Sequence, residues 1–330
     1  MPRRIKVAAA QVGAVHRTTP RADVLARLIK LVEQAAEQGV KLAVFPETTF
    51  TTFFPRYYIP DETELSTYFE LETASTGPIT RGTNVKVFFD RARELGVDVQ
   101  IGYGEDTGEG RYNTAVYVSG KTGEVLNKYR KVHLPGTTEP FDLDPNTTNQ
   151  LEKRYFLPGN LGFNAFRAVS LKAEAGGSSP IVGQLICNDR RWAEGWRCYG
   201  LQGVEIMCCG YNTTAYAPKL WGGDQSITRE KAYEEAMAHA YTNSMFCITS
   251  ARSGVDDDLH PLIPGSMIVD PEGHIVAEST TEGDELVVAE VDLDECLQGK
   301  ESTFNLGKHR RVEMYDRLVE EGGVRPPPEP

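Results

Sequence analysis

The feature that most constrains the fold of this chain is a set of short apolar runs that each end abruptly in polar residues. The clearest extends over Ile181–Ile186 and stops at Cys187, and another extends over Leu42–Phe45 and stops at Pro46-Glu47. Such runs predict strands that are buried on both faces of a sheet. A helical apolar pattern over Val24–Ala35 lies between the apolar runs Ile5–Val12 and Leu42–Phe45, which indicates a β-α-β unit. We therefore expect an α/β protein.

The same two patterns recur along the 330 residues. Strands are predicted over Ile5–Val12, Leu42–Phe45, Val97–Tyr103, Thr114–Val118, Glu124–Tyr129, Ile181–Ile186, Ile206–Cys209, Cys247–Thr249, Met267–Val269, Ile275–Ala277 and Leu286–Val291. Helices are predicted from an N-cap at Thr19 to Gly39, and over Thr83–Leu95, Ala193–Leu201 and Gln225–Asn243. No repeat or linker divides the chain, so we expect one domain over residues 1–311 and a charged tail, flexible at its end, over residues 312–330.

Composition and charge exclude several kinds of partner. A net charge of −12 argues against nucleic acid and anionic membranes, which need clustered cations. No apolar stretch approaches the length of a membrane span, and the basic N-terminus is followed by too short an apolar run for a signal peptide. We therefore expect a cytoplasmic protein. The six cysteines show neither C-x-x-C pairing nor zinc-finger spacing, so free thiols are predicted.

Cys187 lies at the tip of a predicted strand, directly before four polar residues. A rigid strand can fix the sulfur atom, and the following turn can direct backbone N–H groups at an oxyanion, as nucleophiles of α/β enzymes require. A buried cysteine can equally be a small core residue. The cysteine alone leaves both interpretations open.

Glu47 occupies the same kind of position at the end of another predicted strand. By position alone it is a solvated loop charge or a buried base. Aromatic residues follow it closely: Phe50, Phe53, Phe54, Tyr57 and Tyr58. They would desolvate a nearby carboxylate, which favours a general base, although some of them must simply belong to the core.

A third segment combines a cation with an aromatic ring and an imidazole. Tyr129, Lys131 and His133 alternate before a Pro-Gly turn, so an extended chain places them on one face. Clustered cations at a strand end are usually a solvated edge, but this combination is unusual for an edge.

Taken in order, Phe-Pro-Glu47, Tyr-Arg-Lys131-Val-His-Leu and Ile-Cys187-Asn-Asp-Arg-Arg-Trp resemble the Glu-Lys-Cys triad of the nitrilase superfamily of carbon–nitrogen hydrolases. The chain is most similar to the N-carbamoyl-D-amino acid amidohydrolases of that superfamily. This closer resemblance rests on Thr51–Arg56, His133–Gly136, Leu151–Phe156, Trp192 and Gly210–Thr213. It extends from the first strand to about Arg311 and implies a four-layer α/β/β/α sandwich. It also implies homodimers or homotetramers that bury the C-terminal tail.

The resemblance also implies catalytic roles. Cys187 would be the nucleophile that forms a thioester, and Glu47 would carry protons. Lys131 and the backbone N–H of Asn188 would hold the oxyanion, and the ammonium would lower the pKa of the thiol. Glu152 would be a fourth site residue that orients Lys131 and shares in proton transfer. No metal and no organic cofactor is required.

The residues after the nucleophile predict a small-molecule substrate with a carboxylate. Of Arg190 and Arg191, we expect one to pair with Asp189 or another acidic residue, and the other to bind the carboxylate bidentately. His133, Asn212 and Thr213 could add hydrogen bonds to the substrate. The predicted reaction converts an N-carbamoyl-D-amino acid and water to a D-amino acid, carbon dioxide and ammonia.

Two departures from the pattern of these amidohydrolases keep an alternative open. Gln150 stands where they typically carry a histidine, and residues Arg229–Tyr233 replace a segment that contains histidines. The alternative is an amidase or nitrilase of the same superfamily that acts on another small amide or nitrile. A non-enzymatic scaffold is disfavoured because the triad is intact.

Overall fold

The structure is a computed structural model that describes residues 2–144, 146–172, 177–223 and 226–327. The strands are β1 (Arg4–Gln11), β2 (Leu42–Val44), β3 (Phe69–Leu71), β4 (Asp98–Asp106), β5 (Arg111–Val118), β6 (Val125–Arg130), β7 (Phe166–Arg167), β8 (Ile181–Ile186), β9 (Ile206–Tyr211), β10 (Phe246–Ala251), β11 (Gly254–Asp256), β12 (His260–Leu262), β13 (Met267–Val269), β14 (Ile275–Glu278) and β15 (Glu285–Asp292). The α-helices are α1 (Arg21–Glu37), α2 (Glu62–Ser66), α3 (Lys86–Leu95), α4 (Glu152–Tyr155), α5 (Ala193–Leu201), α6 (Pro218–Trp221), α7 (Arg229–Asn243), α8 (Glu295–Glu301), α9 (Leu306–His309) and α10 (Arg317–Glu320).

Two mixed sheets form the centre of the molecule. The first has the order β15-β1-β2-β4-β5-β6, with β3 also paired to β4, and the second has the order β14-β13-β10-β9-β8-β7. β1, β2 and β4 are parallel in the first sheet, and β8, β9 and β10 are parallel in the second. The carboxyl ends of these parallel strands are where ligands bind in many α/β proteins.

Three apolar cores separate four layers. α1 and α3 cover the outer face of the first sheet, where Leu28 and Phe88 are buried, and α5 and α7 cover the second, where Trp196 is buried. Between the sheets, Val7 of β1 packs in the same core as Ile248 of β10. Since strand side chains alternate between the two faces, a strand that is covered on both faces buries most of its side chains, and most of these are apolar. The layers are α/β/β/α, as the resemblance implied.

The predicted elements are present, with differences at their ends. β8, β13 and α5 have the predicted bounds. The predicted N-cap at Thr19 is wrong, because α1 follows Pro20 and has no side-chain cap. The helix predicted from Gln225 begins at Arg229, and Gln225 itself lies outside the described residues. The short strands β3, β7, β11 and β12 were not predicted, since two or three residues carry too little periodicity.

The C-terminal segment is more ordered than a simple tail. α10 lies within residues 312–330, α9 lies shortly before them, and residues 312–314 form a 3₁₀ turn. Residues 328–330 of the predicted tail lie outside the described residues. Among the helices that the structure describes, none is long and apolar enough to cross a membrane.

Candidate active site

Four strands end around one buried polar cluster. Glu47 follows β2, Lys131 follows β6, Cys187 follows β8 and Asn212 follows β9. The two sheets meet closely here because glycines face the Pro46-Glu47 turn from both sides. A Cβ atom on Gly102 would lie 2.7 Å from Glu47 Cα, and one on Gly210 would lie 2.5 Å from Phe45 O. The absence of a side chain at Gly102 of β4 and at Gly210 of β9 therefore allows the turn to lie between the sheets.

The Glu47 carboxylate is buried and receives three hydrogen bonds. Its Oε1 accepts from Lys131 Nζ at 2.7 Å and from Asn113 Nδ2 at 2.7 Å. Its Oε2 accepts from the backbone N–H of Asn212 at 3.1 Å. Of the aromatic residues that were expected to desolvate it, Phe50 belongs to the outer core of the first sheet, and Phe54, Tyr57 and Tyr58 belong to a separate apolar cluster. Polar groups therefore fix this carboxylate in place.

Lys131 lies between two carboxylates and is completely buried. Besides Glu47, its Nζ contacts Glu152 Oε1 at 2.9 Å and Oε2 at 2.7 Å. Burial opposes the ammonium form, but the charges of Glu152 and Glu47 outweigh it and raise the pKa of Lys131 well above its usual value. Burial raises the pKa of Glu152 to about 7, against the attraction of Lys131 and with a contribution from the charge of Glu47. The structure thus brings together three of the predicted catalytic side chains.

Cys187 is the fourth, and it lies in an unusual backbone conformation. Its φ of 45° falls in the left-handed region, at the point where β8 turns into a 3₁₀ helix over Cys187–Arg191. Its Sγ lies 3.5 Å from Asn212 O, 3.8 Å from Arg190 Nη1 and 3.9 Å from Thr213 Oγ1. The next N–H group, that of Asn188, is in the first turn of the 3₁₀ helix, where N–H groups have no intrahelical partner.

The expected lowering of the thiol pKa by Lys131 is outweighed. Burial raises the pKa of Cys187, and the negative charge of Glu47 raises it further, whereas Lys131 and Arg190 lower it. The resting group is therefore a thiol rather than a thiolate. Chemistry at this sulfur requires a base that removes the proton as the sulfur attacks.

Asn212 and Thr213, predicted to bind substrate, contact other site residues. Asn212 Nδ2 donates to Glu47 O at 2.9 Å and to Thr48 Oγ1 at 3.1 Å. Thr48 has a φ of 40°, so the turn that carries Glu47 is strained as well. Thr213 Oγ1 accepts from Arg190 Nη2 at 3.1 Å. Both residues therefore hold the predicted catalytic groups in position.

Arg190 and Arg191 share one acidic partner on α7, and the partner is not Asp189. Arg190 Nε lies 2.7 Å from Glu235 Oε2, and Arg191 Nε lies 3.3 Å from Glu235 Oε1. Arg190 is buried, stacks 4.5 Å over the Tyr211 ring and donates to Cys187 O at 3.0 Å. Arg191 donates to Asn188 Oδ1 at 2.9 Å, and its side chain is 28% exposed. Arg190 thus forms the ion pair that was expected of one arginine, and Arg191 contacts the same carboxylate.

Asp189 instead organises the segment that contains His133. Its Oδ1 accepts the His133 backbone N–H and contacts His133 Nδ1, both at 2.8 Å, and its Oδ2 accepts from Tyr129 Oη at 2.8 Å. The His133 ring stacks on Trp192 with centroids 4.6 Å apart. His133, Asn188, Arg191 and Trp192 are all partly exposed, and we call these four residues the exposed rim.

Sequence reasoning missed two residues of the site. Asn113 of β5 bridges the carboxylates, with Nδ2 at 2.7 Å from Glu47 Oε1 and 3.2 Å from Glu152 Oε2. The available signal was the position of Asn113 directly before the predicted strand Thr114–Val118. An amide that is buried with such a strand needs a hydrogen-bond partner. Glu235 gave no signal, since a glutamate on an Ala- and Glu-rich helix is ordinarily solvated.

The geometry defines a buried thiol beside a carboxylate base and an ammonium, and comparison with known proteins identifies the class. Residues 6–301 match the carbon–nitrogen hydrolase family, so the chain belongs to that family.

The chain is similar in sequence to relatives that are named for several different activities. The chain is 28% identical to a citrullinase of Francisella tularensis subsp. tularensis, covering 90% of this chain and 93% of that one. It is 29% identical to a nitrilase of Pyrococcus abyssi, covering 87% and 91%. It is 28% identical to an N-carbamoylputrescine amidase of Arabidopsis thaliana, covering 69% and 70%. A carbon–nitrogen hydrolase from Helicobacter pylori G27 has the same fold, with a TM-score of 0.74, 21% identity and coverage of 96% and 99%.

Proposed function

We propose that this carbon–nitrogen hydrolase cleaves N-carbamoyl-D-amino acids through a thioester on Cys187. The observation that carries the proposal is the buried cluster of Cys187, Glu47, Lys131 and Glu152 next to a rim that presents a guanidinium, Arg191. Relatives named citrullinase and N-carbamoylputrescine amidase add support, because citrulline and N-carbamoylputrescine both carry a carbamoyl group on nitrogen.

The first half of the reaction forms the thioester. Glu47 takes the thiol proton as Cys187 Sγ bonds to the carbonyl carbon, and the C=O π electrons move to the oxygen. Lys131 and the N–H of Asn188 stabilise that oxyanion, which is the usual role of preorganised donors in acyl transfer. When the oxyanion collapses, the C–N bond breaks, and Glu47 returns the proton to the departing nitrogen.

The second half of the reaction removes the acyl group. Glu47, again ionised, takes a proton from water as the water oxygen attacks the thioester carbon. The C–S bond breaks, and the sulfur recovers a proton. If ammonia leaves first, the product is an N-carboxy amino acid, which loses carbon dioxide to give the free amino acid. No step requires a metal or an organic cofactor.

Arg191 is the proposed carboxylate-binding residue. Arg190 is buried and already contacts Glu235, Thr213 and the Cys187 carbonyl, so its guanidinium supports the nucleophile. Arg191 lies on the exposed rim and is partly accessible while it contacts Asn188 and Glu235. A guanidinium there can bind a carboxylate with two parallel hydrogen bonds. His133 and Asn188 can contact the rest of the substrate.

An ammonia-release screen tests the function. The substrates are N-carbamoyl amino acids of both hands, simple amides and nitriles, each also assayed with a chelator. We expect the N-carbamoyl-D-amino acids to give the highest kcat/KM and the chelator to have no effect. If simple amides or nitriles without a carboxylate are hydrolysed faster, the proposed substrate class is wrong.

The carboxylate contact is tested with an N-carbamoyl-D-amino acid and its amide-capped analogue. The parent should prefer the free acid. Arg191→Lys should lose about ten- to a hundredfold in kcat/KM on the free acid only, because an ammonium cannot reproduce the two-pronged contact, worth about 1.5–3 kcal/mol. Arg197→Lys is the matched control, because this guanidinium on α5 donates to Thr242 O and not to a residue of the exposed rim, and it should behave like the parent. Equal turnover of both substrates by the parent would contradict the contact.

A second candidate function is hydrolysis of another small amide or nitrile. The specific observations that favour it are Gln150 in place of a histidine and a relative named nitrilase.

We further propose that the enzyme is a cytoplasmic homodimer or homotetramer. Support for the compartment comes from the six cysteines, all of which are free thiols.

A further inference from the structure

Glu152 is surrounded by hydrogen-bond donors. Lys131 Nζ contacts both of its oxygens, Gln150 Nε2 donates to Oε1 at 2.7 Å, and Asn113 Nδ2 donates to Oε2 at 3.2 Å. Every hydrogen-bond partner that the described residues offer to this carboxyl group is therefore a donor. A protonated carboxyl group must donate its own O–H, so this set of partners favours the ionised form.

Gln150 is fixed by its backbone as well as buried. Its carbonyl accepts from Thr137 N at 2.9 Å, and a Cβ on Gly136, which has a φ of 76°, would collide with that carbonyl. The residues on either side are also held, since Asn149 N donates to Arg56 O and Leu151 N donates to Pro55 O. The amide of Gln150 thus reaches Glu152 from a rigid segment. An amide keeps its N–H donors and stays neutral at every pH, whereas an imidazole gains a charge and a second N–H as the pH falls.

We infer that Gln150 is a positioning residue that keeps Glu152 ionised and fixed against Lys131, so that Glu47 alone carries protons in the reaction. This inference rests on the proposed function only in assuming C–N hydrolysis through Cys187. It assigns a role to a position where this chain departs from the N-carbamoyl-D-amino acid amidohydrolases that it resembles. It also replaces the expectation that Glu152 shares in proton transfer.

The charges around Glu152 explain why the Gln150 amide affects the protonation of this carboxyl group. Lys131, Glu47 and Cys187 face it from the segments that follow β6, β2 and β8. Burial and the charge of Glu47 favour protonation, whereas Lys131 and the Asn113 amide oppose it. The Gln150 amide is a further donor, at 2.7 Å from Oε1. Loss of one donor should let the carboxyl group take up a proton at higher pH. Lys131 would then lose an anionic partner, and the hydrolytic activity would fall.

The test compares pH profiles of kcat/KM for the parent, Gln150→Met and Gln150→His. Methionine matches the length of glutamine but has no hydrogen-bond donor. The acid limb of the profile, where kcat/KM falls as the pH is lowered, should therefore move up by about one pH unit, and activity should recover at higher pH. Histidine retains a ring N–H, so Gln150→His should keep the limb at or below the parental pH. A uniform loss of activity in Gln150→Met, with the limb unmoved, would show a merely structural role and overturn the inference.

The matched control is Asn149→Ala. Asn149 is also a buried amide, but its side chain joins Phe141 N and Asp142 O within the preceding loop. This variant should lose thermal stability and keep the parental limb. A limb that moves as far as in Gln150→Met would mean that disorder of the loop causes the shift, and the inference would fail.

A second readout needs no substrate. The rate of Cys187 alkylation by iodoacetamide, measured against pH in a Cys198→Ala background, should show an inflection that moves upward in Gln150→Met. An inflection that stays in place would contradict the inference. If the parent instead hydrolyses only a different amide, the proposed substrate is wrong, and Gln150 is still tested with that amide and by alkylation.

Discussion

Charge in the site is balanced between neighbouring residues. Lys131 lies against Glu47 and Glu152, while Glu235 lies against Arg190 and Arg191, so three acidic and three basic groups meet around the thiol. Removing one member of a buried ion pair leaves an uncompensated charge, which commonly costs about 3–5 kcal/mol. Lys131→Met would leave two carboxylates together and should therefore destabilise the fold. Glu47→Gln leaves the Lys131–Glu152 pair intact and is the cleaner test of chemistry.

Glu47→Gln should lower kcat by at least about a hundredfold, because the amide cannot accept the thiol proton. The melting temperature should stay close to that of the parent. The control is Glu105→Gln, which removes another buried carboxylate, one paired with Lys128 and Arg130 away from the site. It should lose about 1–3 kcal/mol of unfolding free energy, less than for a fully buried pair because Lys128 and Arg130 are partly exposed, and it should retain its kcat. Normal turnover by Glu47→Gln would remove this residue from the proton path.

At the scale of elements, the ends of strands decide where the chemistry occurs. β2, β6, β8 and β9 each deliver one polar residue to the same place, and the residues at two of these turns, Thr48 and Cys187, have positive φ values of 40° and 45°. Such strain persists only when the surrounding structure enforces it. Here the close approach of β4 and β9, at Gly102 and Gly210, encloses the Glu47 turn.

Gly102→Ala tests that enclosure. The added methyl group would lie 2.7 Å from Glu47 Cα and 2.8 Å from Pro46 O, so the turn must move. We expect a loss of about 1–3 kcal/mol in unfolding free energy together with a fall in kcat. Gly104→Ala in the same strand is the control, since its methyl group would come no closer than 3.1 Å to any neighbour and would touch Phe69 and Tyr68 rather than the turn. Equal kcat in both variants would contradict the enclosure.

The sequence predicted strands and helices well where both faces of the element are buried. It predicted side-chain contacts poorly where the partner is distant in the chain. The apolar run before Cys187 predicted β8 with the observed bounds because both faces of that strand are buried. The sequence could not identify the acidic partner of Arg190 and Arg191, because Glu235 lies on α7, more than forty residues away, and nothing local marks it. Lys131 does lower the pKa of the thiol as expected, but burial and the charge of Glu47 outweigh it, and the local sequence does not reveal that balance.

At the scale of the whole molecule, most of the thiols lie inside the layers. The buried cysteines are Cys187, Cys208, Cys209, Cys247 and Cys296, and only Cys198 is exposed. Burial raises the pKa of each buried thiol, to about 12 for Cys209 and Cys296. Their neutral form is therefore built into the native state.

Stability should accordingly fall in mild alkali. Because the folded pKa values are raised, these thiols contribute stability that is complete below the ordinary thiol pKa and is lost as the pH rises through the interval up to the folded values. Each can contribute up to about 1.4 kcal/mol per pH unit. Urea unfolding with a reductant, between about pH 8 and about pH 9.5, should show the decline before tyrosines titrate.

Two variants separate the thiols from other groups. Cys208→Ala should make the free energy of unfolding less dependent on pH, by the contribution of one thiol, whatever it does to stability at neutral pH. Cys198→Ala should leave this pH dependence unchanged. A free energy of unfolding that does not vary over this pH interval would contradict the effect.

Assembly is also a property of the whole chain. Val312, Met314, Leu318 and Val319 in the C-terminal segment are largely exposed in the single chain. Such apolar side chains are compatible with the expected burial of this segment in a homodimer or homotetramer. That assembly stays a prediction, and light scattering on the parent and on a chain ending at Arg311 would test it.

The most direct measurement is mass spectrometry of acid-quenched enzyme during turnover of an N-carbamoyl-D-amino acid. We predict an adduct on the peptide that contains Cys187, with the mass of the substrate less one ammonia, or of one carbamoyl group if the amino acid leaves first. Cys187→Ala should show neither adduct nor turnover, and Cys208→Ala should show both. Turnover by Cys187→Ala, or an adduct on a different residue, would contradict the account.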